Sequence, residues 1–282
     1  MGWGDVNEID AISSAFLDQY ASGDADRVSV WLGATSGQPW YVRDDHVRHY
    51  AASTMKLPLL IAAYRRHERG EIDLDAPVPV RNEFRSAADG SSFSLSQDQD
   101  QDDDTWALVG STAPLRDLVR HAIVKSGNLA TNIALEHVGT AEVAAVLAAS
   151  GCSSDTVLPR GIEDAVARRA GMDNLVTARD LAVVMAGVAD RRLGPPPMCA
   201  DVESVLAQQE HRDKVAAGLP AGTYVANKTG WVEGVAHDVA LVRPVDSDPF
   251  VLVVCTTVAV PDEVASALIA DVGRAAWEAN AR

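Results

Sequence analysis

Apolar residues recur at Ile9, Ile12, Phe16 and Tyr20, a spacing that lines one face of a helix and predicts helix over residues 7–20, stopping near Gly23. Residues 27–34 and 39–43 read as two strands joined through the turn residues Ser36 and Gly37. A helix is expected over 53–69, ended by Gly70. Pro58 lies in its first two turns, removes one early hydrogen bond and makes the start irregular. Helical spacing returns at 115–123, 129–138, 141–149 and 178–188. The stretches 223–228, 238–242 and 250–260 carry β-branched, alternating or continuous apolar residues and predict strands. Pro261 then opens a last helix through Asn280, with Asp262 and Glu263 in the first turn where the helix dipole favours acids.

The order is helix, strands, many helices, strands, helix. It predicts a mixed α/β (α+β) fold: an antiparallel sheet built from both chain ends and flanked by terminal helices, with an all-helical region inserted. The sheet-containing part is expected at 1–50 and 215–282 and the helical part at 51–214, together one unit with a cleft between them. No internal repeat is visible.

At 282 residues the chain is long enough to bury a sizeable core, and with 47% hydrophobic and 23% charged residues it is an ordinary globular composition. The formal net charge of -16 argues against nucleic acid as a partner, because an acidic surface repels phosphate. Much of that charge sits in one tract, QDQDQDDD from Gln97 to Asp104, whose expected state is a solvated loop. It lacks the glycine and terminal glutamate of an EF-hand calcium loop. Three separated cysteines form no CxxC pair, and Cys255, inside an apolar run, is expected as a small buried hydrophobe. The histidines form no HExxH motif, and a surface loop accounts for the nearest pair, His46 and His49. No metal, other cofactor or membrane partner is therefore expected. With no signal peptide visible and no run of about 18 apolar residues, the expected setting is cytoplasmic.

Only four lysines occur, Lys56, Lys125, Lys214 and Lys228, so each needs an account. Ser53-Thr54-Met55-Lys56 puts a serine and a lysine on one helix face, three residues apart. A lysine in a partly dry site can take the proton of such a serine and make it a nucleophile. The plain alternative is a capping serine beside an incidental lysine. Ser126-Gly127-Asn128 stands at a junction of two helical segments and alone reads as a loop with a cap. Lys228-Thr229-Gly230 closes a predicted strand, where an ammonium and a hydroxyl can hold a carboxylate and a glycine lets a substrate backbone approach.

In this order the three elements resemble the triple signature of serine enzymes that open β-lactams or cleave D-Ala-D-Ala, and the chain resembles class A serine β-lactamases and their penicillin-binding relatives. The resemblance runs over nearly the whole chain. It includes Gly218-Leu219-Pro220-Ala221 before KTG and Asp238 at the start of the next strand. It implies an acyl-enzyme on Ser53, with Lys56 as base and Ser126 passing a proton to the departing nitrogen. It further implies that Asn128 binds the substrate side-chain amide and that Lys228, Thr229 and Gly230 form the carboxylate subsite. The N–H groups of Ser53 and Trp231 would form the oxyanion hole. Lys214 occupies a place where some class A enzymes keep a substrate-binding cation; a solvated lysine without a role is the alternative. Lys125 reads as a surface residue.

Two departures bear on activity. The class A water-activating glutamate lies in a loop of pattern R-x-E-P-x-L-N, whereas this chain has Arg160-Gly161-Ile162-Glu163, one residue longer from arginine to glutamate and without the proline. Glu163 is the candidate deacylation base, or else a salt-bridge partner of Arg160 or Arg168. The middle triplet is SGN where SDN is usual. The implied function is a serine hydrolase that opens the β-lactam amide of a small-molecule substrate. The alternatives are a D-Ala-D-Ala peptidase or small-acyl esterase, and a β-lactam sensor that acylates without turnover.

Overall fold

A computed structural model describes residues 6–280. In chain order, α1 (Asn7–Tyr20) is followed by β1 (Arg27–Ala34), β2 (Pro39–Arg43), β3 (His49–Tyr50), a 3₁₀ turn (Ala52–Met55) and α2 (Lys56–Glu68). Three short strands, β4 (Pro77–Pro79), β5 (Phe84–Arg85) and β6 (Ser92–Phe93), lead to α3 (Asp103–Trp106) and β7 (Thr112–Pro114). The helices α4 (Leu115–Val124), α5 (Asn128–Val138), α6 (Thr140–Ser150) and α7 (Ala165–Arg169) come next, then β8 (Leu175–Val176), α8 (Ala178–Ala189) and α9 (Pro196–Ala207). The chain ends with β9 (Tyr224–Val232), β10 (Val235–Arg243), β11 (Phe250–Thr257) and α10 (Asp262–Asn280).

The main sheet has the order β2-β1-β11-β10-β9 and is antiparallel throughout, so the two chain ends meet at the β1–β11 pair and β9 is an edge. Alternation along these strands feeds two cores. Val30, Leu32, Leu252 and Val254 face α1 and α10, packing with Ile9, Phe16, Ile269 and Val272. Trp31, Val251, Val253 and Cys255 face the other way, toward the buried residues of α2 and α8. Burial on both faces explains why residues 250–255 read as an unbroken apolar run, and Cys255 is buried there as expected.

The predicted helix over 53–69 begins as a 3₁₀ turn and becomes α-helical at Lys56, with Pro58 in its first turn, where proline's missing N–H is least costly. The pattern did not reveal α9, whose Pro195-Pro196-Pro197 start reads as loop, although proline at the first helical positions is preorganised for it. Two expectations are corrected. His49 is not on a surface loop: it is buried, with Nδ1 on Thr257 Oγ1 at 2.7 Å and Nε2 on Ser29 Oγ at 2.9 Å. The acidic tract is only in part the solvated loop expected: Gln97–Gln99, Gln101, Asp103 and Asp104 are exposed, but Asp102 is buried and the end of the tract starts a helical turn, α3.

Candidate active site

The residue before Ser53 sets the stage. Ala52 is held at φ +44°, a left-handed conformation rare for a side-chain-bearing residue, and strain of this kind persists where surrounding packing over-determines it. Ser53 follows in the 3₁₀ turn, and Lys56 begins α2 with its side chain buried. The Lys56 ammonium donates to Ser126 O at 2.6 Å and Asn128 Oδ1 at 2.9 Å. Burial drives its pKa down to about 7, against an opposing pull from Asp100 and Asp102, so a large fraction is neutral at neutral pH.

Ser126 lies in the turn from α4 to α5, also left-handed at φ +60°. Its Oγ accepts a hydrogen bond from Lys228 Nζ at 3.0 Å. Lys228 is buried on β9 and donates also to Thr229 O at 2.6 Å; burial, then the Lys56 charge, hold its pKa well below the ordinary lysine value. One serine thus links both lysines, by its carbonyl to Lys56 and by its hydroxyl to Lys228. The Thr229 hydroxyl oxygen is buried with no hydrogen-bond partner, a cost a ligand can relieve. Gly230 is small for a reason of space: a Cβ there would lie 2.9 Å from both Ser53 N and Thr54 N. The edge strand therefore runs directly against the backbone N–H of the candidate nucleophile.

A cleft of about 280 Å³ opens here, lined by Ser53, Ser126 and Asn128 at its base and by Tyr50, Trp231 and Glu233 at its rim. Asp98, Gln99 and Gln101 of the acidic tract line it too, as does Ile162. The tract is therefore part of the site. Its composition signalled solvation because side-chain partners 25 to 30 positions away leave no local pattern. Asp100 accepts from the N–H groups of Asn128 (2.7 Å) and Leu129 (2.8 Å), capping α5, and from the Trp106 indole at 2.9 Å. Gln99 O accepts from Asn128 Nδ2 at 3.0 Å, fixing the amide whose oxygen meets Lys56.

Glu163 stands differently from the other site candidates. It is absent from the cleft lining, and its Oε2 accepts from Ser96 N at 3.1 Å while Oε1 is buried without a partner. Burial, with Asp100 and Asp98 nearby, raises its pKa. Among the described residues it makes no ion pair: Arg160 instead pairs with Asp173 at 2.7 Å, and Arg168 stacks over the Tyr50 ring at 5.6 Å. Ile162, two residues after Arg160 where the R-x-E pattern places its glutamate, is held by Asn132, which donates to Ile162 O at 2.9 Å and accepts from Ile162 N at 2.8 Å.

Lys214 is not solvated. It is buried, donates to Asp213 (2.9 Å), Asp262 (3.3 Å) and Ser266 (2.9 Å), and sits 5.3 Å from the Trp231 ring centre. Its charge is met by two carboxylates, and its contact with the cleft runs through Trp231, which His211 touches edge-on from 4.8 Å. Lys125 pairs with Asp104 at the surface. Among the described residues, no group of three or more His, Cys, Asp or Glu converges to hold a metal. A larger apolar groove, about 750 Å³ beside α6 and Cys152, shares no residue with the cleft.

The fold thus brings to one cleft the candidate nucleophile Ser53, the buried Lys56, a serine that meets both buried lysines, and the edge strand carrying KTG. The chain belongs to the beta-lactamase enzyme family, whose pattern it matches over residues 8–279. Among solved structures it is similar to a beta-lactamase from Sphaerobacter thermophilus DSM 20745, at 24% identity and a TM-score of 0.77, covering 98% of this chain and 97% of that one. It is similar to the class A beta-lactamase of the last common ancestor of Gram-negative bacteria, at 22% identity and a TM-score of 0.80, covering 97% of this chain and 99% of that one. PBP-A is also similar, at 20% identity and a TM-score of 0.76 with 95% of each chain covered. These likenesses show the class A fold. No curated protein matches the sequence.

Proposed function

We propose that Ser53 attacks the amide carbonyl of a β-lactam and opens the ring by forming an acyl-enzyme. The observation that carries this is the convergence of two buried lysines on Ser126, Lys56 on its carbonyl and Lys228 on its hydroxyl. Lys56, in its neutral form, takes the Ser53 proton, for which a pKa near the working pH is the efficient choice. Ser126, polarised by Lys228, delivers its hydroxyl proton to the departing ring nitrogen and takes back the one that Lys56 has accepted, so both groups are restored as the ring opens. The backbone N–H groups of Ser53 and Trp231 receive the oxyanion. The substrate carboxylate lies against Thr229 and Lys228, supplying the partner that the buried Thr229 hydroxyl lacks. Asn128 binds the acyl side-chain amide, and Gly230 admits the substrate close to the strand. Lys214 acts at a distance, as the support behind Trp231.

Release of the acyl group is slow in this reading. The wall facing Ser53 carries the apolar Ile162, while the Glu163 carboxylate is engaged with Ser96 outside the cleft lining. Water activation tolerates little misplacement, and a carboxylate off by about 1 Å can cost on the order of 10²-fold. That observation favours, as a second reading, the peptidase or sensor alternative, in which the natural substrate is an acyl-D-Ala amide or the adduct itself is the signal. Intact-protein mass spectrometry after mixing with benzylpenicillin and with a chromogenic cephalosporin separates these. One adduct on Ser53 that decays with colour formation supports the slow β-lactamase. An adduct without decay supports the second reading. No adduct and no colour overturns both.

A further inference from the structure

The middle triplet has a glycine at 127, and its backbone gives no reason for one. Gly127 sits at φ -59° and ψ 126°, a conformation open to any L-residue. The reason is space. A Cβ on Gly127 would lie 2.7 Å from Asp102 Oδ2, 2.8 Å from Asp102 Cβ and 3.2 Å from Asp102 Cγ. The volume that a side chain at 127 would occupy is filled by a carboxylate arriving from the acidic tract.

That carboxylate is firmly seated. The Asp102 side chain is fully buried, accepts from Thr105 N at 3.3 Å and from the Thr105 hydroxyl, and meets His121 Nδ1 at 3.1 Å. Burial raises its pKa, but the hydrogen bonds from His121 and Thr105 outweigh this and hold it below the ordinary aspartate value, so it is charged at neutral pH. His121 belongs to α4, whose C-terminal end runs into Ser126, so one carboxylate ties together tract, helix and turn. Asp100, two residues earlier, takes the N–H groups on the far side of the same turn.

We propose that Asp102 and Gly127 form a coupled pair, in which the tract supplies in space the aspartate missing from the triplet in sequence. In this pairing Asp102, with Asp100, is a positioning residue for Ser126, Asn128 and Lys56. Two consequences follow, one steric and one electrostatic. The turn that sets Ser126 and Asn128 rests on Asp102, so filling the glycine displaces it. The two aspartates also oppose the burial that drives Lys56 toward neutrality. Removing the Asp102 charge at constant shape therefore lowers the Lys56 pKa further and moves the acid limb of the acylation profile to lower pH.

The test is a swap cycle: wild type, Gly127→Asp, Asp102→Gly, and the double variant carrying both changes. Thermal melting is measured on all four, with the rate of Ser53 acylation by a fluorescent penicillin. Asp102→Asn serves separately for the pH profile. Gly127→Asp is expected to lose at least about tenfold in acylation rate and to melt earlier, and the double variant to regain most of both, a coupling expected only of residues in contact. Asp102→Asn is expected to shift the acid limb downward, a readout that a purely structural residue would not move. If Gly127→Asp does not fold, Gly127→Ala with Asp102→Gly replaces it in the cycle. Additive melting shifts, or an unmoved acid limb in Asp102→Asn, overturn the proposal. The rate readout rests on the β-lactam reading. Should the wild type take up no penicillin, that reading fails, while the melting cycle still decides the pair.

Discussion

The two walls of the cleft are built on different principles. On one side, β9 presents Lys228, Thr229, Gly230 and Trp231 from a strand paired with β10 over nine residue pairs, from Val232↔Val235 to Tyr224↔Arg243. There the backbone ladder fixes the side chains, and the period of two decides which face each takes. On the other side, the 97–104 tract and the 160–164 stretch carry little regular structure. They are held mainly by side chains on backbone groups: Asp100 on α5, Asn132 on Ile162, and Asp164 on Ala87 N, with the Ser86 hydroxyl donating to Asp164 as well. The first wall resists changes that leave the sheet intact. The second depends on individual carboxylates and amides, so single substitutions there should change chemistry without unfolding the protein.

The largest expected effects lie at the junction of the walls. Ser53→Ala should abolish the penicillin adduct in mass spectrometry, and Lys56→Ala should slow acylation by about 10³-fold with melting little changed, because loss of a positioned base typically costs 10²- to 10⁴-fold. An adduct on Ser53→Ala would place the nucleophile elsewhere. The next effect sharpens the contrast within the second wall. Ile162→Glu puts a carboxylate on the cleft lining and should shorten the adduct lifetime by about tenfold or more, whereas Glu163→Gln should change it by less than about twofold. A lengthened lifetime in Glu163→Gln would restore Glu163 as the water-activating base.

A smaller effect concerns the buried support beneath the first wall. His49 and His237 lie 5.4 Å apart ring to ring, and His237 Nε2 donates to Tyr50 O at 2.9 Å beside the cleft rim. Burial above all holds their pKa values down to about 3 and about 4. The unfolded chain therefore binds more protons than the folded one between about pH 6.5 and 3, and stability must fall as pH drops through that window. His49→Gln should flatten the fall of melting temperature across it; an unchanged slope would show that other groups dominate acid unfolding. The smallest effect is expected at Lys125, beside Ser126 in sequence but paired with the exposed Asp104. Lys125→Met should change stability by about 0.5 kcal/mol or less and acylation by under about twofold. A larger loss would mean that this pair helps to hold the tract against the turn at Ser126.

The legibility of each wall in the sequence follows its construction. β1 and β2 match their predicted bounds, and β9 runs from Tyr224 four residues past the expected end because KTG continues the ladder instead of closing it. The triplets were readable through the family resemblance that their order carries; taken singly, Ser126-Gly127-Asn128 reads as a capped loop. The role of the tract was not readable. Alternating Gln and Asp looks the same whether solvated or bonded to N–H groups 28 positions away, and only the fold decides which. The same holds for Glu163 and Ile162, neighbours whose assignment to cleft or loop depends on the Asn132 clamp.

By itself the sequence determined the two-ended sheet and the helical insert, which follow from local periodicity, and it showed the three polar triplets through the family resemblance of their order. Tertiary structure alone decided that burial lowers the Lys56 pKa, that Lys214 is spoken for by two carboxylates, and that Asp102 fills the place beside Gly127. Each of those depends on burial and on partners distant in the chain, and neither quantity is carried by any local run of residues.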